Sequence, residues 1–143
     1  MESTILILSL ALVAVLVYKF FFRKSKEARE KKSYYLKRFL RNKEQSLRHI
    51  NEVEALIGQN DGWNKKAFPD KEITFSEYLN ALKSKYANEY SDSSYQILKK
   101  NKLTNAQKQE YTRKLIEQSE DLYLMEVDLG ILNKTWKKSV SYI

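Results

Sequence analysis

The first apolar stretch of the chain covers residues 4–22. Only Ser9 and Lys19 interrupt these 19 residues, and a lysine so near the end can extend its amine to the lipid headgroups. A helix of this length measures about 28 Å, which matches the roughly 30 Å hydrocarbon layer of a membrane. The pattern therefore predicts a single transmembrane helix, with residues 1–22 as the anchor.

Two other interpretations fit this stretch less well. A cleaved signal peptide begins with basic residues and ends with small ones, whereas here Glu2 precedes the stretch and aromatic residues end it. A buried core helix of a small protein is apolar on one face, whereas Ile, Leu, Val and Ala occupy all sides of this one. We therefore expect the segment to be retained in a membrane.

Basic residues follow the apolar stretch directly. Residues 23–50 contain 11 Lys or Arg against 3 Glu. The residues predicted to face the lipid headgroups are Arg23, Lys24, Lys26, Arg29, Lys31 and Lys32. Because basic flanks resist translocation and attract anionic lipid, the N-terminus is expected outside and the remainder in the cytoplasm. The membrane would be a bacterial inner membrane, or a mitochondrial inner membrane with the body facing the matrix.

The apolar positions become periodic after this basic region. They recur every three or four residues at Leu36, Phe39, Leu40, Leu47, Ile50, Val53, Leu56 and Ile57. This spacing predicts a basic, juxtamembrane amphipathic helix over residues 23–57, and no Pro or Gly separates it from the anchor. Gly58, Gly62 and Pro69 favour turns, so residues 58–73 are predicted to form a loop.

Two further helical patterns follow the loop. The first begins at Thr74, whose side chain can cap the helix together with Glu77, and residues 91–94 are a candidate interruption of it. The second begins at Thr104, with Gln107 in the corresponding position.

The predicted fold is therefore all-α. A single N-terminal transmembrane helix is followed by a small helical hairpin or three-helix bundle, in which residues 74–143 pack against residues 34–57.

The last helical pattern contains a heptad seam, in which consecutive members are alternately four and three residues apart. Its members are Tyr111, Leu115, Gln118, Leu122, Met125, Leu129, Leu132 and Trp136. Such a seam forms either the inner face of an intramolecular bundle or one half of an intermolecular coiled coil, and the second alternative would make the chain a homo-oligomer. The candidate interface residues are Tyr111, Leu115, Leu122, Met125, Leu129, Leu132 and Trp136.

The sequence contains few residues suited to catalysis. The absence of cysteine excludes disulfides and thiolate metal sites, and His49 is the only histidine. Glu77 occupies a position like the last ligand of a calcium-binding EF-hand loop, but Lys66 and Phe68 would stand where that loop needs oxygen ligands. We therefore predict no catalytic, cofactor-binding or metal-binding residues, and we do not expect an enzyme.

The distribution of charge favours a membrane role over nucleic-acid binding. The basic excess lies in residues 19–50, where 12 basic and 3 acidic residues give +9. Glu2 contributes −1 and residues 51–143 contain 14 of each sign, which leaves the net charge at +8. We expect a small accessory subunit or scaffold of a larger membrane complex, whose partners are lipids and proteins. The alternative is a membrane-surface tether, in which the basic segment binds anionic lipid and the body recruits a soluble partner. Nucleic acid is the less favoured ligand of that segment and is not expected.

Overall fold

The computed structural model describes residues 2–100 and 103–137, and side chains from residue 10 onward in these ranges. The described chain is mainly helical, which confirms the all-α prediction. Its elements are α1 (Glu2–Asn60), β1 (Lys66–Phe68), β2 (Lys71–Thr74), α2 (Phe75–Glu89), α3 (Asp92–Lys99) and α4 (Asn105–Trp136). The chain divides into two compact units, an N-terminal unit Met1–Tyr34 and a C-terminal unit Tyr35–Ile143.

The predicted anchor lies in the N-terminal unit. The side chains of residues 4–9, which begin the predicted span, lie outside the described residues. Within the described part of the chain, no helix combines the length and the apolar character needed to cross a membrane.

Helix α1 contains both the apolar stretch and the amphipathic pattern, and it ends three residues beyond the predicted boundary. Gly58 lies inside the helix, so the prediction that it terminates the helix is wrong. The left-handed residue is Asp61, with φ of 48°, and the Gly62 N–H donates to the Ile57 carbonyl at 3.1 Å. This is the hydrogen bond that closes a Schellman motif, with an aspartate in the place where glycine is usual.

The predicted loop over residues 58–73 contains a short β-hairpin, which the sequence did not predict. Strands β1 and β2 pair antiparallel with an irregular register: Lys66 pairs with Thr74, and Phe68 with Lys71. Strands of three and four residues are too short to give a clear alternation of apolar and polar positions. The hairpin is stabilised by burial of Phe68, which is 1% exposed.

The observed starts of α2 and α4 agree with the starts predicted from the sequence. Thr74 and Glu77 form a complete capping box at α2, and Thr104 and Gln107 form another at α4. The predicted interruption at residues 91–94 is also present, because α2 ends at Glu89 and Ser91 caps α3.

The C-terminal unit has two apolar clusters. The larger cluster has its buried members on α1, the hairpin, α2 and α4: Ile50, Val53, Leu56, Ile57, Ala67, Phe68, Phe75, Leu79, Leu82, Leu129 and Leu132. The smaller has Tyr35, Phe39, Tyr90, Leu98 and Leu115.

Helices α1 and α4 run in the same direction, since Tyr35 contacts Thr112 and Asn42 contacts Gln118. Polar residues therefore separate the clusters on both helices.

Candidate functional site

The apolar side chains of residues 10–22 are all exposed. Among the large ones, the exposed fraction ranges from 49% for Val17 to 68% for Leu10. Because these residues are consecutive, they cover every side of α1 and leave no polar face for water. A contiguous apolar surface of this kind is typical of a segment that contacts lipid or another protein.

The six basic residues predicted to face lipid all lie on α1. Five are exposed, and Lys32 is partly buried. Arg23 pairs with Glu27 at 3.2 Å and Lys26 with Glu30 at 3.9 Å. Exposed ion pairs of this type contribute at most about 1 kcal/mol each to stability. Breaking them therefore costs little when the basic side chains contact another charged surface.

The heptad seam packs inside the C-terminal unit. Leu115, Leu122, Leu129 and Leu132 are buried, with exposed fractions of 8% or less, and Met125 is partly buried against the larger cluster. Tyr111 and Trp136 are also partly covered by the chain's own residues. The contacts therefore favour the intramolecular alternative. The seam residues proposed from the sequence as an interface are occupied by the core and are not free for a partner in this structure.

A second apolar face of α4 remains exposed, and we call it the outer stripe. It consists of Ile116, Tyr123, Leu124, Val127 and Ile131, which are 38–67% exposed. Their spacing of seven, one, three and four residues places them along one side of the helix. The same spacing is present in the sequence, but the heptad seam is the stronger periodic pattern in this segment. A shallow depression of about 400 Å³ adjoins the stripe, next to Arg38 and Glu120.

Helices α1 and α4 contact each other through polar side chains between the two apolar clusters. The buried Asn42 amide donates to Gln118 Oε1 at 3.3 Å. Arg38 donates from Nη2 to Ser119 Oγ at 2.8 Å, and that hydroxyl donates to the Leu115 carbonyl at 2.8 Å. This network fixes the Arg38 guanidinium against α4.

The only histidine of the chain lies next to this network. His49 is 2% exposed, and its Nδ1 lies 2.9 Å from the Gln45 carbonyl oxygen. Its Nε2 is buried and has no hydrogen-bond partner among the described residues. The cavity that it lines also includes residues of α4, which is remote in the chain.

A separate cavity of about 300 Å³ lies beside the smaller cluster, and three of its lining residues are acidic. These are Glu89, Glu117 and Asp121, and Lys85 bridges Asp121 at 2.5 Å and Glu89 at 3.9 Å. Burial raises the pKa of Glu89, and the negative charges of Asp121 and Glu117 raise it further, although Lys85 opposes them. The lysine pairs with the acids, so this arrangement joins α2 to α4 through ion pairs.

The position that resembles an EF-hand ligand is used for capping. The Glu77 carboxylate accepts hydrogen bonds from the Thr74 N–H and hydroxyl, both at 2.8 Å. These bonds lower the pKa of Glu77. Within the described ranges, no group of three or more acidic or histidine side chains is arranged to hold a metal ion.

Comparison with known proteins found no matching family model, no matching curated protein and no matching solved structure.

Proposed function

We propose that the chain is a non-enzymatic, single-pass membrane protein that acts as an accessory subunit or scaffold of a larger membrane complex. The observation that carries the docking part of this proposal is the outer stripe of α4. Five apolar side chains on one face of a folded helix remain exposed after both cores are complete. Such a face is typical of a protein interface.

The anchor part of the proposal is supported by the exposed apolar side chains of residues 10–22. Apolar residues also occupy most of positions 4–9 in the sequence. The full stretch is then long enough to span a bilayer as a helix. With the basic residues on its C-terminal side, the C-terminal unit would face the cytoplasm or the mitochondrial matrix.

The proposed partner is the apolar face of a helix in another subunit of the same complex. A helix face is the simplest surface that matches a straight row of apolar side chains, because residues three and four apart can pack between those of the stripe. This interface replaces the heptad seam, whose leucines are buried in the core.

The alternative is a membrane-surface tether, and the exposed basic residues of α1 favour it. Arg23, Lys24, Lys26, Arg29 and Lys31 are all exposed, and each well-placed basic residue near an anionic surface contributes about 1 kcal/mol. In this alternative the basic segment, residues 23–48, binds lipid and the C-terminal unit recruits one soluble partner.

The first experiment is extraction of the full-length protein from its native membrane in a mild nonionic detergent, followed by native mass measurement and mass spectrometry of what co-purifies. We expect reproducible co-migration with a large complex. Leu124→Asp and Val127→Asp should abolish this co-migration, because each places a carboxylate in the middle of the proposed interface. Ala81→Asp is the matched control, since Ala81 is exposed on α2 rather than on the stripe of α4, and it should leave the complex intact.

The alternatives differ in their outcomes. A particle of one to a few copies that is unaffected by Leu124→Asp would contradict the subunit proposal. Binding to vesicles of anionic lipid that falls steeply with added salt would then favour the tether, since salt screens charge but has little effect on apolar contacts. The anchor is tested separately: Leu12→Lys with Leu16→Lys should move the protein out of the membrane fraction, because each lysine costs about 2.5–3.5 kcal/mol at the centre of a span.

A further inference from the structure

A small polar cavity of about 170 Å³ lies between α1 and α4. From α1, the lining includes Arg38, Arg41, Asn42 and His49, which share one helix face because they are three, four or seven residues apart. From α4, it includes Tyr123 and Glu126. Arg41 and Glu126 are exposed, so they lie where the cavity opens to solvent.

His49 lines this cavity and has an unsatisfied polar atom, Nε2. The Gln45 carbonyl can only accept a hydrogen bond, so the nitrogen that faces it, Nδ1, carries a proton and donates. Nε2 is then an acceptor in the neutral ring and a donor in the protonated ring. No described residue pairs with it, although buried polar atoms in folded proteins are nearly always paired.

The charges around the cavity favour an anion. The charged side chains among the lining residues are two arginines, Arg38 and Arg41, and one glutamate, Glu126. Arg38 is already oriented by its hydrogen bond to Ser119, and an arginine has five N–H donors, so it keeps donors for a ligand. The volume suits a small ion and is too small for a nucleotide.

We propose that this cavity binds a small oxyanion of the phosphate type. Arg38 and Arg41 donate hydrogen bonds to its oxygens, as guanidinium groups do to phosphate generally. His49 Nε2 accepts a hydrogen bond from a protonated oxygen of the anion. Glu126 lies at the opening and opposes binding, and Tyr123 adds a neutral hydroxyl there. The site shares Tyr123 with the outer stripe, but its proposed ligand contacts come from Arg38, Arg41 and His49, which lie on α1.

The single histidine makes this site directly observable. Because the chain has one histidine, the full-length protein in nonionic detergent, with any purification tag removed, gives one imidazole Cε1–Hε1 signal by NMR. Inorganic phosphate is titrated at pH 6.5 against sodium chloride of equal ionic strength. We expect a saturable shift of this signal with phosphate, and no such shift with chloride.

Two arginine substitutions test the assignment. Arg41→Ala should weaken phosphate binding about tenfold, since a hydrogen bond to a charged group contributes roughly that factor or more. Arg41 is exposed, so the variant should fold. Arg48→Ala is the matched control: Arg48 is an exposed arginine of the same helix that pairs with Glu52, and its removal should leave the affinity unchanged within about twofold.

Several outcomes would overturn the proposal. A shift that is linear in phosphate and equal to that in chloride would show only a general salt effect. An unchanged affinity in Arg41→Ala, or equal losses in Arg41→Ala and Arg48→Ala, would show that the cavity is not the binding site. Glycerol phosphate distinguishes two sources of the same chemistry: binding as strong as that of inorganic phosphate would indicate a phosphate carried by a larger molecule, and its failure would restrict the ligand to the free ion. Both of these results uphold an oxyanion site.

Discussion

The indole Nε1 of Trp136 donates a hydrogen bond to the Ala67 carbonyl at 3.0 Å, joining residues that are 69 positions apart. The Trp136 ring also packs edge-on against Phe75, with 5.3 Å between the ring centroids. The last turn of α4 is thereby attached both to the hairpin and to the first turn of α2. The hairpin of three- and four-residue strands therefore depends on α4 as well as on its own pairing.

Trp136→Phe should destabilise the C-terminal unit by about 1–2 kcal/mol. The substitution removes the hydrogen bond to Ala67, which contributes about 1 kcal/mol, and it leaves unfilled space beside Phe75. The measurement is urea denaturation of the full-length protein in nonionic detergent, followed by circular dichroism. Trp63→Phe is the control: Trp63 is 53% exposed, and its replacement should change the free energy of unfolding by less than about 0.5 kcal/mol. Equal effects of the two substitutions would contradict the role given to Trp136.

Leu132 and Leu124 should respond very differently to truncation, although both lie on α4. Leu132 is fully buried and Leu124 is 59% exposed. Leu132→Ala should therefore lower the free energy of unfolding by about 2–5 kcal/mol, whereas Leu124→Ala should change it by less than about 0.5 kcal/mol. The denaturation midpoint of Leu132→Ala should also be independent of protein concentration. A midpoint that rises with concentration would indicate that the seam is an interface between copies.

The local signals in the sequence were sufficient to predict the helix starts. A capping box involves residues three apart, so Thr74 with Glu77 and Thr104 with Gln107 could be recognised without knowledge of the fold. The end of α1 was placed less accurately, because Asp61 adopts a left-handed conformation that glycine more often provides.

The features that were missed depend on contacts between distant residues. The hairpin owes its stability to Phe68, which packs against Tyr78, and to Trp136, so its own short strands carry almost no signal. The periodicity of the seam indicated a buried face but could not identify what covers it. His49 is buried because α4 packs beside α1, and nothing in the residues adjacent to His49 in sequence indicates that burial. The oxyanion cavity was unpredictable for the same reason.

Glu77→Gln should reduce stability at neutral pH and have no effect in acid. The pKa of Glu77 is lowered mainly by the hydrogen bond from the Thr74 N–H and secondly by that from the Thr74 hydroxyl. A carboxyl whose pKa is lower in the folded state than in the unfolded chain stabilises the folded protein. This stabilisation is complete when the pH is above the pKa in the unfolded chain, which is 4.5 for glutamate. It is lost as the pH falls through the pKa in the folded state. The free energies of unfolding of the two proteins should therefore differ at pH 7 and converge below pH 4.5.

The second capping box provides the matched control for this prediction. Gln107 occupies the equivalent position at α4 and accepts from the Thr104 N–H at 2.9 Å. Gln107→Glu should introduce a pH dependence of the same sign, with the variant gaining stability above the glutamate pKa. If Glu77→Gln and the original protein have the same stability at every pH, the charge of Glu77 contributes nothing to the cap.

Tyr78→Phe should make the protein less sensitive to alkali. The Tyr78 hydroxyl donates to Asp128 Oδ2 at 3.2 Å, and Lys71 Nζ contacts the other oxygen of that carboxylate at 3.2 Å. Burial raises the pKa of Tyr78, and the negative charge of Asp128 raises it further. The neutral phenol is therefore favoured by folding.

The sign of this effect determines the measurement. A group whose pKa is raised by folding stabilises the folded protein when the pH is below its pKa in the unfolded chain, about 10 for tyrosine. This stabilisation is lost as the pH rises toward its pKa in the folded state. The free energy of unfolding should fall between pH 9 and pH 11, and the fall should be shallower in Tyr78→Phe, which has one fewer ionisation linked to unfolding. At pH 7 the same variant should lose about 1 kcal/mol with the hydrogen bond to Asp128. Tyr123→Phe, altered at a side chain that is 67% exposed, should retain the original slope. If Tyr78→Phe also retains it, the Tyr78 hydroxyl ionises as readily in the folded protein as in the unfolded chain, and its bond to Asp128 has no effect on the ionisation.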